Sequence, residues 1–428
     1  MPRNMCLDCA AVAAAVIVVT VSLHPCRAET LEEMLREVAA HQPALQALRV
    51  KALATSEEVA IAQAGYMPKL SATGTAGASQ LPSDALASLG TPDRSASVAV
   101  TLQQPVFDGF RTTSAVAEAS EQLEAERQDV AGAELDVLLD AITAYLDVQR
   151  DRTIITLRKR SLRVLTDAAA MARERLASRD ATSIEVDVAE ARVADARFAL
   201  AGAGTAAAAS AASYTSMVGA QPGKLAQVPV PVKRLPTTLD MAVELAARDS
   251  PLLRSAKHRV QAAQHAVSKA DADRLPTVSL EARYEHDWGY LPLGRDDDIS
   301  VGVRVSVPVL DGGVAAARGR QARLQGQQRA LELDDLRRRL RARLATLWSR
   351  FSAAGAQVEA GKRAVLAGRK ALAALTEVSR SGERTILEVL DTERDLIDAE
   401  VRLAAATHDR VLRAYAILAS TGHLEVGN

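Results

Sequence analysis

The chain has 428 residues, and its 52 lysines and arginines nearly balance 53 aspartates and glutamates. A formal net charge of −1 removes the electrostatic case for a nucleic-acid partner, and no polybasic tract is present for an anionic membrane surface. Aromatics make up only 3% while alanine, the best helix former, is abundant, which argues for long packed helices over a bulky globular core.

In chain order, Arg3 gives a positive start, Ala10 to Val21 is an apolar run too short to cross a bilayer comfortably, and Ala28 supplies the small residue a signal peptidase needs. Residues 1–28 read as a cleaved secretory signal. Cys6, Cys9 and Cys26 all fall inside it, so the mature chain is expected to hold no thiol for a disulfide or a metal. His24-Pro25 ahead of Cys26 argues against a lipid anchor, which requires small residues there.

Residues 30–68 then open a pattern that returns at 238–276, with Thr30, Pro43 and Pro68 answering to Thr238, Pro251 and Pro276. Further on, Gln104 to Gly109 answers to Val307 to Gly312, and Thr182, Glu185 and Glu190 to Thr385, Glu388 and Glu393. Such a duplication predicts two similar halves, 29–220 and 238–428, joined by a proline-rich linker at 221–237.

After Pro68 and Pro276 the helical period stops, because a proline ring disfavours helical geometry at the residue before it. Alternation replaces it in Lys69 to Ser79, Ser95 to Gln103, Val278 to Glu285 and Ile299 to Val309. At about 10 residues and roughly 3.3 Å per residue, each segment is long enough to cross the hydrocarbon layer when tilted. Each half thus carries one hairpin, about 68–105 and about 276–309. A soluble sheet with one wet face alternates in the same way. The secretory signal, the aliphatic face of 299–309 and the aromatics Tyr284, Trp288 and Tyr290 near the hairpin tip favour a membrane barrel, with Phe107 as a further candidate interfacial aromatic. Four strands cannot close a barrel, and three copies supplying twelve are the simplest closed arrangement. Loops 80–94 and 288–298 are expected to face the cell exterior, and Asp296-Asp297-Asp298 reads as a solvated acidic loop rather than a cation site.

Asp108-Gly109 and Asp311-Gly312 read as helix starts with the carboxylate as N-cap. Proline-free runs follow from Gly109 to Ser178 and from Gly312 to Arg380, each about 105 Å of helix at 1.5 Å per residue. Leu333, Leu336, Leu340, Leu344, Leu347 and Phe351 form an apolar seam at spacings of three and four, as do Leu135, Leu138, Ile142 and Tyr145. The chain turns near Ser178 to Asp180 and near Ser381-Gly382, and return helices are expected at 183–217 and 386–420. The expected fold is mainly α with a small β part: long antiparallel helical hairpins and four membrane strands, duplicated within the chain.

On these features the chain resembles the TolC-like outer-membrane efflux protein family. The likeness rests on the duplication, on Tyr66 to Leu70 and Leu275 to Val278 opening the strands, on Gln104 to Gly109, and on Ser381 to Asp391 at the second helical turn. It implies a homotrimer with a twelve-stranded outer-membrane β-barrel and a periplasmic α-barrel, docked onto a periplasmic adaptor and an inner-membrane ABC or proton-driven pump. It also places Glu388 and Asp391 on the family's constricting acidic positions, Arg384 on its latch arginine and Glu185 on an acidic partner, with Ser379 where the best-known member has a latch tyrosine. Glu388 and Asp391 are three residues apart and share a helix face, so threefold symmetry stacks them as acidic rings that favour cations. The plainer reading makes them ordinary surface charges.

No catalytic constellation competes. His258 and His265 lack the i, i+4 partner and nearby glutamate of a metalloprotease helix, and no glycine loop suited to phosphate appears, so the protein is not expected to be an enzyme or to hold a cofactor or metal. A soluble periplasmic coiled-coil adaptor shares the long helices but has no use for membrane-length strands, and a porin builds its barrel within one chain. Between type I protein export and small-molecule efflux, the missing lipid anchor leans toward export.

Overall fold

The computed structural model describes residues 29–79, 93–288, 297–380 and 386–424. The expected signal segment, Tyr290, Asp296 and Arg384 lie outside the described residues. Two short helices, α1 (Leu31–His41) and α2 (Pro43–Gln63), lead into strands β1 (Lys69–Ser79) and β2 (Asp93–Phe107), then into α3 (Arg111–Ala177) and α4 (Ser183–Val218). The second half repeats this order as α5 (Leu239–Asp249), α6 (Pro251–Ala272), β3 (Thr277–Trp288), β4 (Asp297–Ser306), α7 (Val314–Arg380) and α8 (Ile386–Thr421). The long helices α3 and α7 both have 67 residues, about 100 Å at 1.5 Å per residue, and the return helices α4 and α8 both have 36.

Local chemistry fixes the breaks. Thr30 and Glu33 form a reciprocal capping box at the start of α1, and the Thr238 hydroxyl accepts from the Met241 N–H at the start of α5. Pro43 and Pro251 each stand at the first position of the following helix, so each opening segment breaks into two helices, with Gln42 and Ser250 extended between them. Arg179 takes a left-handed conformation (φ 65°) at the turn from α3 into α4.

The long helices start later than the sequence suggests. Gly109 and Phe110 (φ 68° and 66°) and Gly312 and Gly313 (φ 66° and 85°) form left-handed turns, so α3 begins at Arg111 and α7 at Val314. The aspartates still cap from ahead of the turn. The Thr112 N–H donates to Asp108 (2.7 Å), and the N–H groups of Gly313 and Ala315 donate to Asp311 (2.8 and 2.6 Å).

All four strands form one antiparallel sheet in the order β1-β2-β3-β4, so the two hairpins join through a β2–β3 pairing. Pro105, which has no N–H to give, sits at a register shift beside Phe107. The strand expected to reach Val309 stops at Ser306, leaving Val309 and Leu310 exposed, whereas the matching Pro105 to Phe107 remain in β2. Within the chain β2 has a neighbour on each side, and β4 has one. Asp297 and Asp298, expected in a loop, belong to β4, and Trp288 closes β3.

Helix α3 packs against α2, α4, α6 and α8, while α7 packs against α6 and α8. Near the middle of α3 a core gathers Leu138, Ile142 and Tyr145 with Met34, Leu35 and Val38 of α1 and Val411 and Leu418 of α8. The seam of α7 is also used, since Leu333, Leu340 and Leu344 pack with Leu253. Toward the far end Val186, Ala189, Val193 and Ala196 present a three-four spacing to Ala168, Ala169 and Ala172. Gly361 and Gly368 on α7 admit Leu403 and Leu396 of α8, which would lie 3.2 Å from any added Cβ.

Candidate conduction path

The sheet has two chemically different faces. In register, Leu102 pairs with Leu70 and Ala282, Leu280 with Val303, and Tyr284 with Val100 and Ile299. With Val301, Val303 and Val305, all largely exposed, these residues make one face predominantly apolar, interrupted by Gln104 at one end and by His286 and Asp297 near the tip. Alternation sends Ser71, Thr73, Thr101, Glu281, Arg283 and Arg304 to the other. Tyr284 and Trp288 stand exposed toward the β3–β4 tip on the apolar side, where Tyr284 donates to Asp297 (2.6 Å) and the His286 ring lies edge-on to Trp288. Phe107 lies at the opposite end of the sheet, edge-to-face with Phe110. Asp297 is committed to Tyr284 and His286, and no group of metal-ligating side chains forms among the described residues.

At the other end of the molecule, α4 and the first turns of α8 bring part of the expected entrance together. Asp391 is bound by the Arg192 guanidinium of α4 at 2.9 Å, and the same arginine donates to the Leu387 carbonyl (3.3 Å). Glu388 is half-buried one turn earlier on α8, next to the fully seated Leu390. Glu185 serves the first turn of α4, where its N–H donates to the Thr182 hydroxyl (3.3 Å) and its carboxylate accepts from that hydroxyl (3.4 Å). The sequence reading missed Arg192, although it follows Glu185 by two helical turns on the same face.

A second set of charges, also missed, ties three helices further along α8. Arg160 of α3 reaches Glu400 (2.9 Å) and Glu393 (3.6 Å) of α8, Arg369 of α7 reaches Glu400 (2.7 Å), and Arg158 reaches Asp398 (3.0 Å). Burial pushes the Glu393 carboxyl above its ordinary range, with Arg160 opposing the shift and Glu400 adding to it. Higher on the same helices His408 of α8 meets Asp147 of α3 at 2.8 Å. Burial would raise the Asp147 carboxyl, but His408 and Arg150 outweigh it and hold it below the usual range.

A duplicated chain with a two-faced membrane-length sheet at one end of paired 100 Å helices defines an outer-membrane channel protein. The family described as outer membrane efflux protein matches residues 34–220 and 242–423, and the chain belongs to it. It is 30% identical over 398 residues to the outer membrane efflux protein BepC of Brucella suis biovar 1, covering 92% of this chain and 86% of that one. Similarity to the alkaline protease secretion protein AprF of Pseudomonas aeruginosa is 28% over 203 residues, 43% of this chain and 40% of AprF. The fold superposes on the outer membrane protein VceC of Vibrio cholerae with a TM-score of 0.77 at 20% identity, covering 92% and 96% of the two chains. The protein is thus an outer-membrane member of a family of channels, with its helices extending into the periplasm.

Proposed function

We propose that three copies of the chain close a single conduit and pass cargo from an inner-membrane pump and a periplasmic adaptor to the cell exterior, with protein export by a type I system as the task. The observation that carries this reading is a four-stranded sheet whose outer strands β1 and β4 each pair on one side only, beneath a largely apolar face. An unpaired backbone edge cannot face lipid, so the sheet must continue into other copies, and twelve strands are the simplest closure. Transport through it is passive. The sequence offers no phosphate-cradling loop, which leaves energy supply to the partner pump.

Small-molecule efflux is the second reading, favoured by the longer match to BepC, whereas the match to AprF favours export. A deletion strain assayed for both separates them. Export predicts loss of a secreted protein with unchanged drug susceptibility, and increased susceptibility with intact secretion overturns it.

In this conduit Glu388 and Asp391, repeated by threefold symmetry, ring the periplasmic entrance, and the family resemblance adds Arg384 and Glu185 to the gate. Arg192 restrains Asp391 and thereby the opening end of α8. Arg384→Ala and Asp391→Ala are each expected to raise single-channel conductance in planar bilayers. Wild-type conductance in both variants removes the gating role.

A further inference from the structure

The two hairpins differ on the face turned away from lipid. Along β1 and β2 that face carries mostly neutral groups such as Ser71, Thr73, Thr75, Ser97, Thr101 and Gln103, and the Thr75 and Ser97 hydroxyls bond each other at 2.7 Å. Along β3 and β4 the same face carries charges. The Arg304 guanidinium donates from Nε and Nη2 to the two oxygens of Glu281 (2.7 and 2.8 Å), a bidentate pair reaching diagonally across the strands. Gly302, directly opposite Glu281, has open space where a side chain would stand, so nothing blocks that reach. One step toward the tip, Arg283 donates to Glu285 (3.0 and 2.9 Å).

We infer that Arg304 and Glu281 form a charge-compensated belt inside the barrel and help set the ion preference of its lumen, beside the other charges of this face, Lys69, Glu285, Asp287 and Asp298. This rests on the conduit reading, in which the polar face lines the passage. A compensated pair presents a short-range dipole to passing ions, whereas an uncompensated charge acts over the Debye length, about 10 Å at 0.1 M salt. Threefold repetition turns one uncompensated group into a ring of three. Arg304 therefore keeps the Glu281 carboxylates from acting as a cation filter, and Glu281 keeps the arginines from acting as an anion filter.

The test is the reversal potential of the purified full-length channel in a planar bilayer under a KCl gradient. Arg304→Gln is expected to move it toward the potassium potential, Glu281→Gln toward the chloride potential, and the double variant back close to wild type. Reversal potentials unchanged in both single variants, at wild-type conductance, overturn the assignment, as do shifts of the same sign in both. If Arg304→Gln does not assemble, Glu281→Gln carries the test alone through its shift toward chloride. A wild-type protein that never forms channels overturns the conduit reading itself, which separates that failure from a failure of the belt.

Discussion

Corresponding positions halfway along the two long helical hairpins do different work. In the first half Tyr145 and Tyr214 are fully buried with ring centres 6.4 Å apart. The Tyr145 hydroxyl lies 2.8 Å from the carbonyls of both Glu29 and Ala226 and shares its one proton between them, and that of Tyr214 donates to the Glu29 carboxylate (2.5 Å). In the second half the duplication puts Trp348 and Ile417 at these places, and they pack with Leu347, Phe351 and Ala416 in an apolar cluster. The contrast has a structural cause. Only the first half must hold both the segment before α1 and the linker, whose backbones run side by side at Glu29 and Leu225, and buried backbone groups there need partners. Burial lifts the Tyr145 hydroxyl to about 12, and burial together with the bonded Glu29 carboxylate holds Tyr214 above its usual value, so both remain protonated donors at every physiological pH.

Substitutions at matched positions sharpen this comparison. The largest effect is expected at the turns before the long helices. An alanine at Gly109 or Gly312 meets the left-handed penalty of about 1–2 kcal/mol. At Gly109 its Cβ would also stand 2.7 Å from the Leu275 Cβ, while at Gly312 the space is open, so overpacking adds roughly 1–3 kcal/mol at the first site alone. Denaturation midpoints in detergent should fall clearly further for Gly109→Ala, and equal losses would show that the halves are not differently packed there.

Next in size, Tyr214→Phe leaves the Glu29 carboxylate without its hydroxyl donor and is expected to cost about 1.5–3 kcal/mol. Ile417→Val, at the matching apolar position, is expected to cost about 0.5–1.5 kcal/mol. Protease cleavage in the linker at 221–237 should rise for the tyrosine variant and not for the isoleucine one. Cleavage that rises equally in both would dissolve the distinction.

The smallest effect concerns Glu393 and its counterpart Glu190. Glu393 is buried and its carboxyl is raised above the ordinary 4.5, so the folded state binds its proton more tightly than the unfolded state does. Its contribution is complete below the unfolded value and is lost as pH rises through the folded one. Glu393→Gln should therefore flatten the decline of stability with rising pH above 4.5. Glu190, exposed and paired with Arg173 at 2.8 Å, is expected to shift stability by no more than about 0.5 kcal/mol on conversion to glutamine. An unchanged pH slope in Glu393→Gln would contradict the account of its burial.

Elements set by local chemistry were legible in the sequence. Proline placement, the period of two and the apolar seams put the hairpins and long helices within a few residues of their observed bounds, and the duplication gave both halves one order. Contacts that depend on distant chain segments were not legible. The β2–β3 pairing that unites the halves leaves no local signal, nor do the arginines Arg160 and Arg192, whose partners lie some 200 residues away on α8. Repetition also misled at one point. Glu190 and Glu393 match in the alignment of the halves, yet α8 is enclosed by α3 and α7 while α4 rests on α3 with less around it, so the same residue type is exposed in one half and buried in the other.

The central claim is that one chain supplies a third of the passage. Native mass spectrometry of the protein extracted from outer membranes in mild detergent tests it most directly. Particles carrying three chains are the expected result, and a population that is monomeric under conditions that keep the sheet folded would contradict it.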